Sequence, residues 1–447
     1  RYWRDWSSDV CSSDLLMTET TANAAKPEAP AYRYWVLALL FIAYTFNFID
    51  RQIMGILNVP IQTELGASDE QMGLLGGLSF ALLYTGLGIP IAFLADRWDR
   101  SWIMTAALAL WSGFTAICGL AQNYTQLFLA RMGVGVGEAG GVAPAYSLIS
   151  DYFPPKERAR ALAVYSFGIP IGSAAGIALG GIVASLVDWR VAFLVVGLAG
   201  VLYAPIFRMF VREPQRGRYD VKQQAAGAEA PKRAGFFEAL GYIVKKPSFW
   251  LLSTGAAFSS MMGYGSFYWI PTFLQRSYGF DLQQAAFFYA SILLIGGVVG
   301  VWLGGFLGDK LGANKRAMFA LVPAGAWLLA MPCYAVGLLS PSPTFAFFLF
   351  LVPTALGLVW LGPVIAAVQH LAPPHMRTVA SASFLFINNL IGIGVGTWAL
   401  GRLSDALSSQ YGEESLRYSI LYGTGFYVVA ALLYLIASRS LHRDWVD

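Results

Sequence analysis

Long apolar runs separated by short polar breaks organise this chain. A helix needs about 20 mostly apolar residues to cross a bilayer, and twelve runs meet that length. They fall at 34–58, 71–95, 102–121, 125–150, 160–186 and 190–211, then at 249–275, 282–307, 316–338, 344–369, 377–401 and 418–439. The pattern predicts an all-α membrane protein with twelve transmembrane helices in two pseudo-symmetric six-helix bundles. The bundles cover residues 33–211 and 248–440, joined by a polar linker over 212–247. Residues 441–447 are read as a tail. The opening stretch "RYWRDWSSDVCSSDL" is Ser/Asp-rich and lacks the apolar h-region of a signal peptide. Residues 1–16 read as an extraneous cloning or sequencing remnant before a start at Met17, and 17–32 as a disordered tail.

Composition agrees with this pattern. Of the 447 residues, 57% are hydrophobic and 13% charged, against roughly a quarter charged in soluble domains. Mean hydropathy is +0.56. The net charge of +4 calls for no nucleic-acid partner, because basic residues gather in cytoplasmic loops. Cys118 and Cys333 lie in apolar spans and imply no disulfide framework.

Basic residues set the expected orientation. An even number of spans puts both termini on one side. Apart from Arg51 and Arg131 inside spans, Lys and Arg gather on that side, with only Arg190, Arg276, Arg402 and Arg417 opposite. Both termini and the linker are therefore expected in the cytoplasm, most simply of a bacterial inner membrane. Within the linker, "AGFFEALGYIVKK" has the alternation of an interfacial helix.

The two halves repeat. "PPKERARA" from Pro154 and "PPHMRTVA" from Pro373 share Pro-Pro-x-x-Arg-x-x-Ala after the fourth and tenth spans. "DRWDR" from Asp96 and "DKLGANKR" from Asp309 follow the second and eighth. Repeated six-helix halves point to a secondary transporter with a site between them. On these motifs residues 33–440 resemble the major facilitator superfamily. Gly305-x-x-x-Asp309-Lys310-x-Gly312 with Lys315-Arg316 looks like that family's loop signature. The first copy departs from it at Ala92, Asp99 and Ser101. The resemblance implies a cytoplasmic latch of Asp96, Arg97, Asp309 and Lys310; the competing reading is surface anchoring.

Two glycine rows stand out. Gly168, Gly172, Gly176 and Gly180 share one helix face, as do Gly296, Gly300, Gly304 and Gly308. Small residues let helices approach closely in lipid. The rows are expected to form the surface on which the halves rock, the alternative being static packing within a half. Gly135-x-Gly137-x-x-Gly140 matches a dinucleotide fingerprint but lies mid-span without a preceding strand, so it reads as helix packing.

The candidate chemistry lies in "TFNFIDRQIMG" and "ARMGVGVGEAGG". Asp50, Arg51, Arg131 and Glu138 are charged residues within the first and fourth spans. Each costs on the order of 2.5–3.5 kcal/mol at a span centre. Adjacent helix residues do not face each other, so Asp50 and Arg51 each need a partner elsewhere. The reading is one polar cluster between the two spans, with Arg51 on Glu138 or a substrate head group and Asp50 titrating or paired with Arg131. Burial raises a carboxyl pKa and a nearby Arg lowers it. An acid whose Arg moves away would therefore take and release protons. Asp50 and Glu138 are the proton-coupling candidates. Arg51 and Arg131 are the head-group or salt-bridge candidates, and a structural salt-bridge knot is the plainer alternative.

"FNFIDRQ", "RMGVGVGEAGGVAPAYSLISDYFPP" and "RARALAVYSFGIPIG" also resemble the spinster branch of the superfamily, which moves sphingolipids and lysolipids, with proton coupling in some members. The resemblance implies a proton-coupled carrier of sphingosine-1-phosphate-like or lysophospholipid-like amphiphiles. Bacterial anion and organic-acid symporters have similar stretches. Small organic anions or drug-like amphiphiles are therefore the alternative cargo.

The second half offers cavity walls: Tyr264, Phe267, Tyr268, Trp269, Trp360, Asn388 and Asn389, with helix packing as the competing role. An enzyme fits poorly. His370, His375 and His442 sit at span ends or outside, and no Gly-x-Ser-x-Gly occurs. A receptor on a transporter scaffold is the remaining rival. The expected partners are the bilayer and the cargo, with protons as the coupling ion, no cofactor or metal, and a monomer as the working unit.

Overall fold

A computed structural model describes residues 30–217, 219, 236–312, 316–373 and 376–446. Residues 1–29 and most of the linker, expected to be a remnant, a tail and a cytoplasmic connection, lie outside the described residues. The chain is all-α. Nine described stretches are apolar and long enough to span a bilayer by length and composition alone, and the last, Arg377–Asp444, is 68 residues and holds two crossings. The more polar Tyr124–Tyr152 and Pro247–Tyr278 complete twelve.

In the first half, α1 (Pro30–Ile56) is the first span and α2 (Asn58–Leu65) a short helix beyond it. The second span is α3 (Asp69–Gly76) with α4 (Leu78–Ala95), and the third is α5 (Arg100–Cys118). The fourth is α6 (Tyr124–Glu138) with α7 (Val142–Tyr152). The fifth is α8 (Pro155–Ser166) with α9 (Gly168–Leu186), and the sixth is α10 (Trp189–Phe210). A linker helix, α11 (Phe236–Ile243), buries Ala239 and Ile243 and leaves Phe237 exposed.

The second half runs α12 (Pro247–Tyr278), α13 (Leu282–Gly312) and α14 (Met318–Leu339). The tenth span is α15 (Pro343–Leu356) with α16 (Leu361–Gln369). The eleventh is α17 (Arg377–Asn389), a π turn at Leu390–Val395 and α18 (Gly396–Tyr411). The twelfth is α19 (Ser415–Gly423) with α20 (Gly425–Asp444). The eleventh span outruns the predicted 377–401 because the polar end of α18 packs on α3.

Proline explains four of the helix breaks. A proline cannot donate to the carbonyl four residues back, and its ring crowds that carbonyl. Pro60 leaves Ile56, Pro144 leaves Gly140, Pro170 leaves Ser166, and Pro363 leaves Val359. Each of these residues is at or beside a break. The Pro144 break falls just after Glu138, so a candidate carboxylate ends α6.

The glycine rows are not the rocking surface. A Cβ at Gly168, Gly172, Gly176 or Gly180 would meet Tyr44, Thr45, Phe48, Ile49 and Ile53, all on α1. At Gly296, Gly300 and Gly304 it would meet Leu351 to Val359 of the tenth span. Both rows are therefore packing within a half; Gly308 lies outside the described side chains. The halves meet one position along, where Gly181 faces Ala286 and Gly297 faces Pro170. One residue turns a helix face by about 100°, so the rows face the wrong neighbour.

On the side away from the linker the halves are sealed. Arg276 of α12 forks onto Asp69 of α3, with Nη1 to Oδ2 at 2.8 Å and Nη2 to Oδ1 at 2.7 Å, and also reaches Gln62. Ser404 of α18 donates to Asp69 at 2.7 Å. Asp405 accepts the first backbone N–H groups of α3, from Asp69 and Glu70, so a carboxylate of one half caps a helix of the other. Glu70 accepts from Trp398 and Arg402. Deeper in, Thr397 donates to Gly73 O at 2.9 Å, Tyr268 to Met72 O at 2.8 Å, and Asn58 to Thr272 at 3.0 Å. Gly73 permits this approach: a Cβ there would lie 2.6 Å from Thr397 O.

Candidate functional site

The site is built outward from α1. Asp50 and Arg51 are consecutive, so they leave the helix about 100° apart. Arg51 points between the halves and Asp50 points into the first half. Arg51 Nε donates to Glu138 Oε2 at 2.7 Å. The Arg51 side chain is 12% exposed and Glu138 is fully buried. Three aromatic rings surround the guanidinium, with centroids at 5.2 Å for Phe48, 4.9 Å for Phe80 and 4.7 Å for Tyr84. Cation–π contacts of this kind gain strength when desolvated.

Arg131 also lies over Phe80, 5.8 Å from its centroid. Its Nη1 donates to the backbone carbonyl of Asp50 at 3.2 Å, not to the carboxylate. Neither oxygen of the Asp50 carboxylate has a hydrogen-bond partner, although the Thr115 hydroxyl and Trp111 indole lie beside it at a geometry short of bonding. Glu138 Oε1 is likewise unbonded, with the Asn47 amide facing it. The four charges thus form two layers. Arg51 and Arg131 line a recess between the halves, together with Gln52, Phe80, Tyr264, Phe267, Tyr268 and Thr397. Asp50 and Glu138 sit behind the arginines and do not line it. The recess has a volume of about 30 Å³, room for water rather than for a large ligand.

The proposed wall residues divide. Tyr264, Phe267 and Tyr268 line the recess. Trp269 turns the other way, fully buried in the second half, with its indole N–H on Thr397 O at 2.9 Å. Trp360 packs edge-on against Phe384 at 6.3 Å. Asn388 accepts from Ser260 at 2.8 Å and donates to Asn389. These four do not line the recess: Trp269, Trp360 and Asn388 turn to neighbours within their own half, and Asn389 accepts from Asn388 beside it.

Two six-helix halves, sealed at one end and enclosing paired intramembrane charges, define an architecture that sequence comparison now names. The sequence profile described as Major Facilitator Superfamily matches residues 40–397. The chain belongs to the major facilitator superfamily. It is 31% identical to an MFS-type efflux pump of Mycolicibacterium smegmatis, across 95% of this chain and 96% of that protein. It is 26% identical to protein spinster homolog 3 of Danio rerio, across 98% and 90%. A crystal structure of a bacterial homolog to the human lysosomal transporter Spinster, inward-facing and unoccupied, matches with a TM-score of 0.83. That likeness carries 33% identity over 93% of this chain and 99% of that one. The protein is a multi-pass membrane transporter of this superfamily, related to spinster.

The superfamily's loop signature is only partly visible here. Arg97 stacks on Phe93 at 3.7 Å, and the Asp96 carbonyl accepts from Arg216. Among the described residues no ion pair links either to the second half. The side chains of Asp309 and Lys310, the other half of the expected latch, lie outside those described. The first-half hub is instead Arg100, which sequence reasoning passed over. It is 2% exposed and pairs with Asp151 at 2.6 Å and Glu213 at 2.7 Å. Asp99, which stands where the signature has Gly, caps α5 by accepting from Trp102 N at 2.9 Å. The seal residues Asp69, Arg276 and Asp405 were also missed. Their one signal was the sparseness of basic residues on that side, which left Arg276 and Arg402 conspicuous.

Proposed function

We propose that this chain is a proton-coupled secondary transporter of amphipathic lipids with an anionic head group, sphingosine-1-phosphate-like or lysophospholipid-like, working by alternating access. One observation carries the reading. The recess shows guanidinium groups and aromatic rings to the space between the halves, and both carboxylates stand behind them. An anionic head group entering from that space meets Arg51 first. A guanidinium binds phosphate bidentately, and doing so draws Arg51 from Glu138. Glu138 is then a buried carboxylate without its ion-pair partner, which is costly unless it takes a proton. Head-group binding and proton uptake therefore assist each other. Asp50, whose oxygens are already unbonded, is the second proton site, and Arg131 screens it. Tyr264, Phe267 and Tyr268 offer an apolar wall to the part of the cargo next to the head group. No cofactor enters this scheme.

In the bacterial inner membrane, with the linker and both termini cytoplasmic as the Lys and Arg distribution favours, the sealed end faces outward. Rocking opens that end and closes the other, and one chain suffices as the working unit. The likeness to an efflux pump supports a second reading, export of drug-like amphiphiles, and the arginines would also hold small organic anions. Flux into proteoliposomes under an imposed pH gradient separates these. Uptake of a fluorescent lysophosphatidate that collapses with a protonophore supports the lipid reading. Uptake of a short carboxylate or a dye, with no lipid flux, replaces it.

A further inference from the structure

A second cavity lies apart from the arginine recess. It has a volume of about 570 Å³, within the range of ligand pockets. It runs between the linker-side parts of α1 and α8–α9, walled by Leu37, Phe41, Val164, Phe167 and Ile171. Its direction follows from α9. Gly172 faces α1, and Pro170 faces Gly297 of the second half. Ile171 lies about 100° to one side of Gly172 and Ser173 about 100° to the other. Ser173 is buried, whereas Val164 and Ile171 are exposed apolar side chains, as are Trp35 and Ile42 on α1. Tyr165, stacked on Tyr44 at 4.2 Å and edge-on to Tyr146, marks the flank that leads to the charged recess. The groove is thus on the opposite flank, turned to lipid.

Its mouth is cationic. Glu157 is already paired with Arg33 at 2.9 Å. Arg160 follows one turn later at the groove edge, with Lys156 on the same linker-side end. An apolar trough in the bilayer below a basic rim is complementary to an anionic lipid.

We propose that this groove holds a resident anionic phospholipid of the linker-side leaflet, one acyl chain lying along α1 and α9 and its phosphate on Arg160. The site does not depend on what the protein transports. The test is native mass spectrometry of the full chain released from nanodiscs containing phosphatidylglycerol and phosphatidylcholine in equal amounts. Wild type is expected to retain phosphatidylglycerol about fivefold over phosphatidylcholine, the weight of roughly one basic residue at a membrane surface. Arg160→Gln, an exposed change, removes that preference, and Ala38→Trp, which fills the trough, lowers retention of both lipids. Equal retention of the two lipids by wild type, or wild-type retention by both variants, overturns the proposal. Neither result bears on flux in the liposome assay, so failure here is distinct from failure of the transport reading.

Discussion

Arg276→Ala should open the sealed end. Arg276 gives Asp69 a two-pronged contact across the halves, and the side chains are 20% and 6% exposed. Removing one partner of a buried pair costs about 3–5 kcal/mol. Asp69 keeps Gln62 at 2.8 Å and Ser404 at 2.7 Å, and Arg276 is partly wet, so the low end applies, about 3 kcal/mol. All of it falls on the sealed state if the contact breaks on opening. At 1.4 kcal/mol per decade, the ratio of open to sealed molecules rises about 100-fold. Spin labels at Thr63→Cys and Ser409→Cys, on a background lacking the native cysteines, read the separation of the sealed end in nanodiscs. Arg276→Ala should add or enlarge a long-distance population. Arg417→Ala, which breaks a pair with Glu414 inside the second half, should leave the distribution unchanged. An unaltered distribution in Arg276→Ala, or the same change in Arg417→Ala, would refute the assignment of the seal.

Three further outcomes follow from the geometry. Asp50→Asn and Glu138→Gln should each weaken the pH dependence of transport in liposomes while the protein still folds; wild-type pH dependence in both variants removes the proton role. Gly172→Leu should lower thermal stability, because even a Cβ would lie 2.5 Å from Thr45 O and 2.8 Å from Phe48 Cβ within the same half. Overpacking costs about 1–3 kcal/mol, and an unchanged unfolding midpoint with slowed transport would restore the row to the moving surface. Tyr268→Phe deletes a hydrogen bond to Met72 O worth about 0.5–1.5 kcal/mol and should enlarge the open population measured with the same labels, though far less than Arg276→Ala.

Most spans are legible because bilayer thickness imposes a length that hydropathy reveals, and the repeat is legible in the paired loop motifs. Helix breaks were legible in principle, since Pro60, Pro144, Pro170 and Pro363 each name the carbonyl they disrupt. The Arg51–Glu138 contact is one of the two partners the sequence allows Arg51, because a charge in a span requires a partner and few are on offer. Of the two roles the sequence allows Asp50, titrating or paired with Arg131, the structure does not show the ion pair: Arg131 bonds the Asp50 backbone carbonyl, and nothing in the residue types distinguishes a carboxylate from a backbone carbonyl as acceptor. The glycine rows failed on rotation. Spacing by four fixes that residues share a face but not which neighbour the face meets. Trp269 failed for the same reason, being one residue from Tyr268 and therefore turned into its own half. The seal was hidden because Asp69, Arg276 and Asp405 are far apart in sequence and meet only when the two bundles close.

In the proposed scheme, anion binding at Arg51 and proton uptake at Glu138 are one coupled event. Proton uptake on substrate addition tests it directly, using purified protein in weakly buffered nanodiscs with a pH dye and lysophosphatidate as ligand. Wild type should take up protons as the ligand binds. Glu138→Gln should bind the ligand with much reduced uptake. Arg51→Lys, which keeps the charge but loses the planar fork, should lose most binding, and Arg51→Ala nearly all of it. Full ligand binding by Arg51→Ala, or undiminished proton uptake by Glu138→Gln, would show that the two events are not coupled through this pair.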